Sequence, residues 1–281
     1  MDTLVSTEWL AAELAASDLR VVDCSKHLPA AGRDALAEYL AGHIPGAVFM
    51  DMADLVDSSA AIENTLPPPE KFASRMQTLG LGDGSRIVLY DDSAVKSSAR
   101  AWFMLKLFGA QSVAILDGGL AKWKAEGRAL AEGRETLRQR HYTAWSDPAR
   151  VRSKADVLAN LTSHAEQVLD ARGAARFTGA EADPRPEIAR GHIPGSRNLP
   201  YTALYNPDGT FKDKAGLSAA FAEAGVDLDR PVITTCGSGV TAAVLLFALD
   251  LLGKRDVALY DGSWSEWGSD PDSPKALGEA A

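Results

Sequence analysis

Pro231-Val232-Ile233-Thr234-Thr235-Cys236-Gly237-Ser238-Gly239-Val240-Thr241-Ala242 is the stretch whose reading decides the fold. An apolar run ends at a cysteine, two glycines and hydroxyl residues follow, and a second apolar run extends from Ala243 to Leu252. The pattern predicts a strand, a tight loop and a helix, the unit of open parallel α/β sheets, which place their sites at the carboxyl ends of strands. Cys236 falls at that place. Its sulfur is expected within a ring of backbone N–H groups at a helix N-terminus, a setting that stabilises a sulfur anion. Gly237 and Gly239 suit a loop whose amides turn inward, since glycine takes φ > 0 without steric cost. The helix expected over 241–252 is apolar on nearly every side and should be sandwiched inside the domain. A lone cysteine is often only a small buried hydrophobe. The glycine spacing and the strand-loop-helix setting make Cys236 a candidate nucleophile.

Working outward, the chain repeats itself. Gly42-His43-Ile44-Pro45-Gly46 recurs as Gly191-His192-Ile193-Pro194-Gly195. Upstream of each copy is an apolar run ending in aspartate, Val21-Val22-Asp23 and Val168-Leu169-Asp170. Downstream of each is a strand-loop-helix, then Leu116-Asp117-Gly118-Gly119-Leu120-Ala121-Lys122-Trp123 or Tyr260-Asp261-Gly262-Ser263-Trp264-Ser265-Glu266-Trp267. This common order marks a tandem duplication. It implies two domains, 1–128 and 151–281, joined by a charged linker over 129–150, each an α/β domain with a parallel sheet covered on both faces.

In the first half, Ser6 predicts the cap of a helix from Thr7. Strands are expected at 20–22, 86–90 and 112–116, and helices near 70–79 and 98–108. In the second half, Ser153 predicts the cap of a helix through Leu161. Strands follow at 167–169, 231–235 and 257–260, and a helix near 215–224 precedes the one after the cysteine. The tail beyond Ser269 contains Pro271, Pro274 and Gly278 and is expected to fray.

The duplication supplies an internal control. Where the second half has its cysteine loop, the first reads Tyr90-Asp91-Asp92-Ser93-Ala94-Val95-Lys96-Ser97. Aspartate stands in the cysteine's place and no glycine is present to turn the amides inward. The first half is therefore read as scaffold and the second as the working half.

With 29 basic and 38 acidic residues and a net charge of −9, the chain has no global attraction for nucleic acid or an anionic membrane. An anionic substrate needs a local cluster of cations. Arg172, Arg176, Arg185 and Arg190 supply one in a segment without helical or strand period, and an arginine fork suits a planar carboxylate. The two cysteines, Cys24 and Cys236, form neither a disulfide framework nor a zinc spacing. No metal or organic cofactor is called for. Cys24 is read as a packing residue, and His27, His141 and His164 as surface residues. The N-terminus lacks a basic and an apolar export region, and no apolar run reaches membrane-spanning length. The expected compartment is the cytoplasm. His43 has two readings, a turn residue bonded to the backbone or a group that reaches the cysteine loop.

These motifs together resemble the two-domain rhodanese-like sulfurtransferases over nearly the whole length. The resemblance rests on the two Gly-His-Ile-Pro-Gly blocks, Asp170-Ala171-Arg172 with Arg176-Phe177, the loop Cys236 to Thr241, and Tyr260 to Trp267. It implies two tandem rhodanese domains, each a five-stranded parallel sheet with helices on both faces, the C-terminal one active. It further implies Cys236 as the nucleophile that becomes a persulfide, within a loop of Gly237, Ser238, Gly239, Val240 and Thr241. Arg176 and Arg185 would hold the donor, and Ser238 would hydrogen-bond it, joining a relay with His43 and an aspartate for which Asp34 is the candidate. The neutral Gly237 and Ser238 favour 3-mercaptopyruvate over thiosulfate, whose sulfurtransferases carry basic residues after the cysteine. The acceptor would be thioredoxin, a small thiol or cyanide. Two rivals belong to other classes. A cysteine phosphatase needs arginine six places after the cysteine, where Ala242 stands, and a non-catalytic binding module resembles the first half rather than the second.

Overall fold

The computed structural model describes residues 1–280. They form two compact units: Met1–Ser58 with Leu66–Asp147 and Asn206–Phe211, and Ser59–Thr65 with Pro148–Tyr205 and the chain from Lys212.

The first unit contains β1 (Leu4–Val5), α1 (Thr7–Glu13), β2 (Leu19–Asp23), α2 (Ala35–Ala41), β3 (Ala47–Phe49), α3 (Pro69–Thr78), β4 (Arg86–Tyr90), α4 (Ser97–Leu107), β5 (Ser112–Leu116) and α5 (Gly119–Ala125). The second contains β6 (Val151–Arg152), α6 (Lys154–Ser163), β7 (Gln167–Asp170), α7 (Ala174–Thr178), β8 (Arg197–Asn198), α8 (Lys214–Glu223), β9 (Val232–Thr235), α9 (Ala242–Leu251), β10 (Val257–Tyr260) and α10 (Ser263–Trp267). Each unit is one five-stranded sheet, ordered β1-β5-β4-β2-β3 and β6-β10-β9-β7-β8. Every pair of neighbouring strands is parallel.

The pairings fix which residues correspond. Asp23 lies opposite Tyr90 and Asp170 opposite Thr235, so Asp91 and Cys236 leave their sheets at equivalent points. Strand side chains alternate between faces. Val21, Val88, Tyr90, Ala114 and Leu116 join Leu10 of α1 and Leu120 and Trp123 of α5 in one core. The matching core of the second unit gathers Val157, Val168, Ile233, Tyr260, Trp264 and Trp267. Helix α9 is buried from Ala242 through Leu249, as its apolar surface demands.

Ser6 caps α1 by accepting the Trp9 N–H at 3.2 Å. Ser153 closes a reciprocal cap with Asp156 at the start of α6. The two- and three-residue edge strands and the five- and seven-residue helices that flank them are too short to show a period in sequence.

Two stretches without period are held by backbone bonds. In the segment after α5, Ala131 and His43 exchange N–H···O bonds of 2.9 Å, Asp83 donates to the His141 carbonyl, and Tyr142 is buried with its hydroxyl on the Phe108 carbonyl. This segment runs along the first unit as far as Asp147. The tail, expected to fray, is held as far as Gly278, and Ala281 lies outside the described residues. Ala276 and His192 exchange the corresponding pair, Gly278 donates to Thr178 O, and Trp267 Nε1 donates to Pro274 O at 2.7 Å. The first unit has the same three contacts, with Gly133 on Leu40 O and Trp123 Nε1 on Ala129 O. The duplication therefore extends past the last helix of each half, where the sequences no longer match.

Candidate active site

Cys236 follows β9 directly and is 2% exposed. Its backbone is clamped from α10. Trp264 N donates to Cys236 O at 3.0 Å and Ser265 N to Gly237 O at 2.8 Å. Across a trans peptide the C=O and N–H point in opposite directions. With both carbonyls turned to α10, the N–H groups of Gly237 and Ser238 face the other way, available to an anion. Gly239 takes the left-handed conformation expected of it, φ +77°, and turns the loop towards α9. Gly237 does not. Its place is open instead, for a Cβ there would meet no atom within 4 Å. Ser238 and Thr241 are half-buried and Val240 is buried, and the side chain of Thr241 makes no capping bond to α9.

Ser263 starts α10 with φ +49°, a conformation that costs a non-glycine residue about 1–2 kcal/mol. Its first-unit counterpart is Gly119, at φ +58°. Serine is held there by its hydroxyl, which donates to Tyr260 O at 2.8 Å and accepts the Cys236 N–H at 3.3 Å. Backbone strain of this kind gathers at functional sites. Sequence reasoning missed Ser263, although two hydroxyls at alternate positions directly after a strand end, in Ser263-Trp264-Ser265, were its signal.

Arg185 approaches the loop through Ser265. Its Nη1 donates to Ser265 Oγ at 2.6 Å, and that hydroxyl donates to Gly237 O at 2.6 Å. On its other edge, Arg185 Nε and Nη2 donate to the two oxygens of Asp183 at 2.9 and 3.2 Å. Burial pushes the Asp183 carboxyl up, but the hydrogen bonds from Arg185 outweigh it and hold the group below the usual carboxylate range. The same contact raises Arg185, so its charge is secure. The charge of Arg176, in α7, also reaches Asp183. Arg176 donates to Glu181 at 3.2 Å and its side chain is 40% exposed. The charges of both arginines thus act on one carboxylate.

The other two have structural work. Arg172 is buried, binds both oxygens of Asp170 and the Gly191 carbonyl, and lies 4.5 Å from the centre of the Trp264 ring. Arg190 donates to the carbonyls of Gly179 and Ala180.

His43 and Asp34 are placed within the first unit. His43 is fully buried, its ring stacked 4.1 Å from Tyr39 and its Nδ1 2.9 Å from Tyr39 O, so that nitrogen carries the proton. His192 does the same against Phe177, at 3.9 Å and 2.9 Å. The same geometry in both halves is that of the turn reading. Asp34 is exposed and caps α2 by accepting the Ala37 N–H. Neither position lends support to a relay. His27 is not the surface residue expected, since its side chain is 4% exposed and bonds Glu38 at 2.9 Å. Cys24 is fully buried with its thiol donating to Tyr90 O at 3.1 Å, and burial pushes that thiol well above its usual range.

The rhodanese-like domain matches this chain twice, over residues 6–126 and 153–270. The chain belongs to the rhodanese-like family of sulfurtransferases. It is 42% identical over 271 residues, 96% of each chain, to the 3-mercaptopyruvate sulfurtransferase of Escherichia coli strain K12. It is 40% identical to the human protein of that name, over 94% of this chain and 91% of the other. Its fold matches the crystal structure of SseA from Escherichia coli, a 3-mercaptopyruvate sulfotransferase with the rhodanese fold, at a TM-score of 0.86 and 40% identity, covering 94% and 99% of the two chains. In rhodanese terms the chain is two tandem α/β domains, and it is a sulfurtransferase enzyme. Among the described residues no helix is long and apolar enough to cross a membrane.

Proposed function

We propose that the chain moves sulfur from 3-mercaptopyruvate, through a Cys236 persulfide, to a thiol acceptor such as thioredoxin or a small thiol, or to cyanide, and releases pyruvate. The observation that carries this reading is Arg185. It is a charged arginine two hydrogen bonds from the carbonyl of Gly237, the residue after the cysteine. A guanidinium has five N–H groups, of which Asp183 and Ser265 take three, leaving one on each terminal nitrogen. Two parallel donors are the fork that binds a carboxylate. Arg176, whose charge also acts on Asp183, adds charge for the keto acid. The names of the similar sulfurtransferases from Escherichia coli and human point to the same donor.

The Cys236 thiolate attacks the sulfur of 3-mercaptopyruvate, an S–S bond forms and the C–S bond breaks. The electron pair goes to carbon 3 as the enolate of pyruvate, which takes a proton from solvent, and the Ser238 hydroxyl is proposed to hydrogen-bond the substrate. The N–H groups of Gly237 and Ser238 hold the sulfur anion. An acceptor thiolate then attacks the outer sulfur and Cys236 leaves again as thiolate. Residues 151–281 carry this chemistry, 1–128 form the inactive domain, and 129–150 joins them. The persulfide cycle needs free thiols, and Cys24 and Cys236 are both free, which suits the cytoplasm.

The test compares kcat/KM for sulfur transfer to cyanide from 3-mercaptopyruvate and from thiosulfate, with Cys236→Ser as control. A preference for 3-mercaptopyruvate that disappears in the variant is expected. A preference for thiosulfate would show that the carboxylate fork does not choose the donor.

A further inference from the structure

The two units hold an arginine against the same loop carbonyl in different ways. In the first unit Arg33 Nη1 donates directly to Asp92 O at 3.1 Å, and Nη2 to the Asp92 carboxylate at 2.9 Å. Arg33 Nε and Nη2 also donate to Glu38 at 2.8 Å, so four of its hydrogen bonds are internal. Asp92 stands where the second unit has Gly237. Leu120 N donates to Asp91 O as Trp264 N donates to Cys236 O, which sets Ala121 at the place of Ser265. In the second unit the serine hydroxyl is inserted between arginine and carbonyl, accepting from Arg185 and donating to Gly237 O, each at 2.6 Å.

We propose that Ser265 is a positioning residue for the sulfur donor: its hydroxyl ties Arg185, which binds the donor's carboxylate, to the loop that carries the sulfur. The inference rests on the reading of Arg185 given above. Because the hydroxyl is a spacer, Arg185 reaches the loop with one N–H and keeps two for the carboxylate. Because Ser265 also donates its backbone N–H to Gly237 O at 2.8 Å, the loop stays clamped when the hydroxyl is removed. Ser265→Ala therefore separates the two duties. It loosens the arginine and leaves the backbone cradle of Cys236 in place. Ser265 is 5% exposed, so water does not readily substitute for the lost oxygen.

Single-turnover kinetics on the full chain read the two half-reactions apart. Loading is followed as persulfide formation at subsaturating 3-mercaptopyruvate, and discharge as thiocyanate release when cyanide is added to enzyme already loaded at saturating donor. Ser265→Ala should slow loading about tenfold through weaker donor binding, the loss expected for a hydrogen bond to a charged group. Discharge, which needs no carboxylate, should keep the wild-type rate and shows that the variant is folded. Equal losses in both half-reactions would mean that Ser265 only holds the loop, and no loss in either would mean that Arg185 does not depend on it. Either result overturns the proposal. Failure of the wild-type enzyme to load from 3-mercaptopyruvate would overturn the donor assignment first, and this inference with it.

Discussion

The loops after β4 and β9 leave equivalent strands, run for the same length and end in buried helices, yet one holds a carboxylate where the other holds a thiol. In the first unit Asp91 accepts the backbone N–H groups of Ser93 and Ser98, each at 2.9 Å, and the Ser93 hydroxyl at 2.9 Å. The expectation that this loop could not turn its amides inward, for want of glycine, is corrected. Lys96 takes the left-handed turn there with φ +52°, and the amides close on an anion built into the chain. The first unit thus displays what the fold does at this point, which is to hold a negative charge at a helix N-terminus. The second unit has the Cys236 thiol at the position of that fixed carboxylate.

The charges around the two loops differ in the same sense. Asp23, Arg33, Glu38, Asp92 and Lys124 line a hollow in the first unit whose arginine is already bound to Glu38 and Asp92. In the second unit Gly237 replaces Asp92, and Asp183 and Ser265 take three of the five Arg185 N–H groups.

The largest test of this contrast removes the two sulfurs in turn. Cys236→Ser should lower sulfur transfer to cyanide by at least about a thousandfold, the scale for loss of a nucleophile, while Cys24→Ser should retain wild-type turnover. Retained activity in the first variant would erase the distinction between the halves. Next in size is the aspartate at each second strand end. Asp170 is paired inside the protein with Arg172, whereas Asp23 is held by neutral groups, Ser25, whose N–H it accepts at 2.9 Å, and the Tyr90 hydroxyl. Arg172→Ala leaves a buried, unpaired carboxylate and should cost about 3–5 kcal/mol in urea unfolding. Arg33→Ala breaks a pair 39% exposed on each side and should cost at most about 1 kcal/mol. Equal losses would show that the two arginines are equivalent after all.

Arg185→Lys should reduce kcat/KM for 3-mercaptopyruvate about 10- to 100-fold, since an ammonium cannot offer a planar fork, and Arg33→Lys should leave it unchanged. The smallest effect is in pH dependence. Burial pushes the Asp23 carboxyl above the ordinary carboxylate value of 3.8, against the hydrogen bonds from Ser25 and Tyr90. The folded chain then keeps this proton longer than the unfolded chain, so stability falls as pH rises from 3.8 through the folded value, and the loss persists above it. Asp23→Asn removes that loss. Thermal midpoints measured across the acid range should decline less with rising pH in the variant, and parallel curves would refute the assignment.

Much of this was legible because strands of four or five residues and helices of ten or more imprint their period on the sequence. Arg86–Tyr90, Ser112–Leu116 and Val257–Tyr260 have the predicted bounds, and Arg185 is joined through Ser265 to the loop that holds Cys236. What escaped has no local signature. Val151–Arg152 and Arg197–Asn198 exist only because a neighbouring strand pairs with them. Arg172 differs from Arg185 through its partners, not its sequence. The tail looked free because its prolines and glycines lack a period, although His192, Trp267 and Thr178 bind its backbone. Ser265 lies inside the Tyr260 to Trp267 motif, and only its 2.6 Å bond from Arg185 distinguishes it there.

The most direct measurement of the central claim is mass spectrometry of the protein after incubation with 3-mercaptopyruvate in the absence of an acceptor. The account predicts one added sulfur atom on the peptide that contains Cys236, lost again on addition of cyanide, and none on the peptide that contains Cys24. Sulfur carried on Cys24, or no added sulfur while pyruvate accumulates, would contradict it.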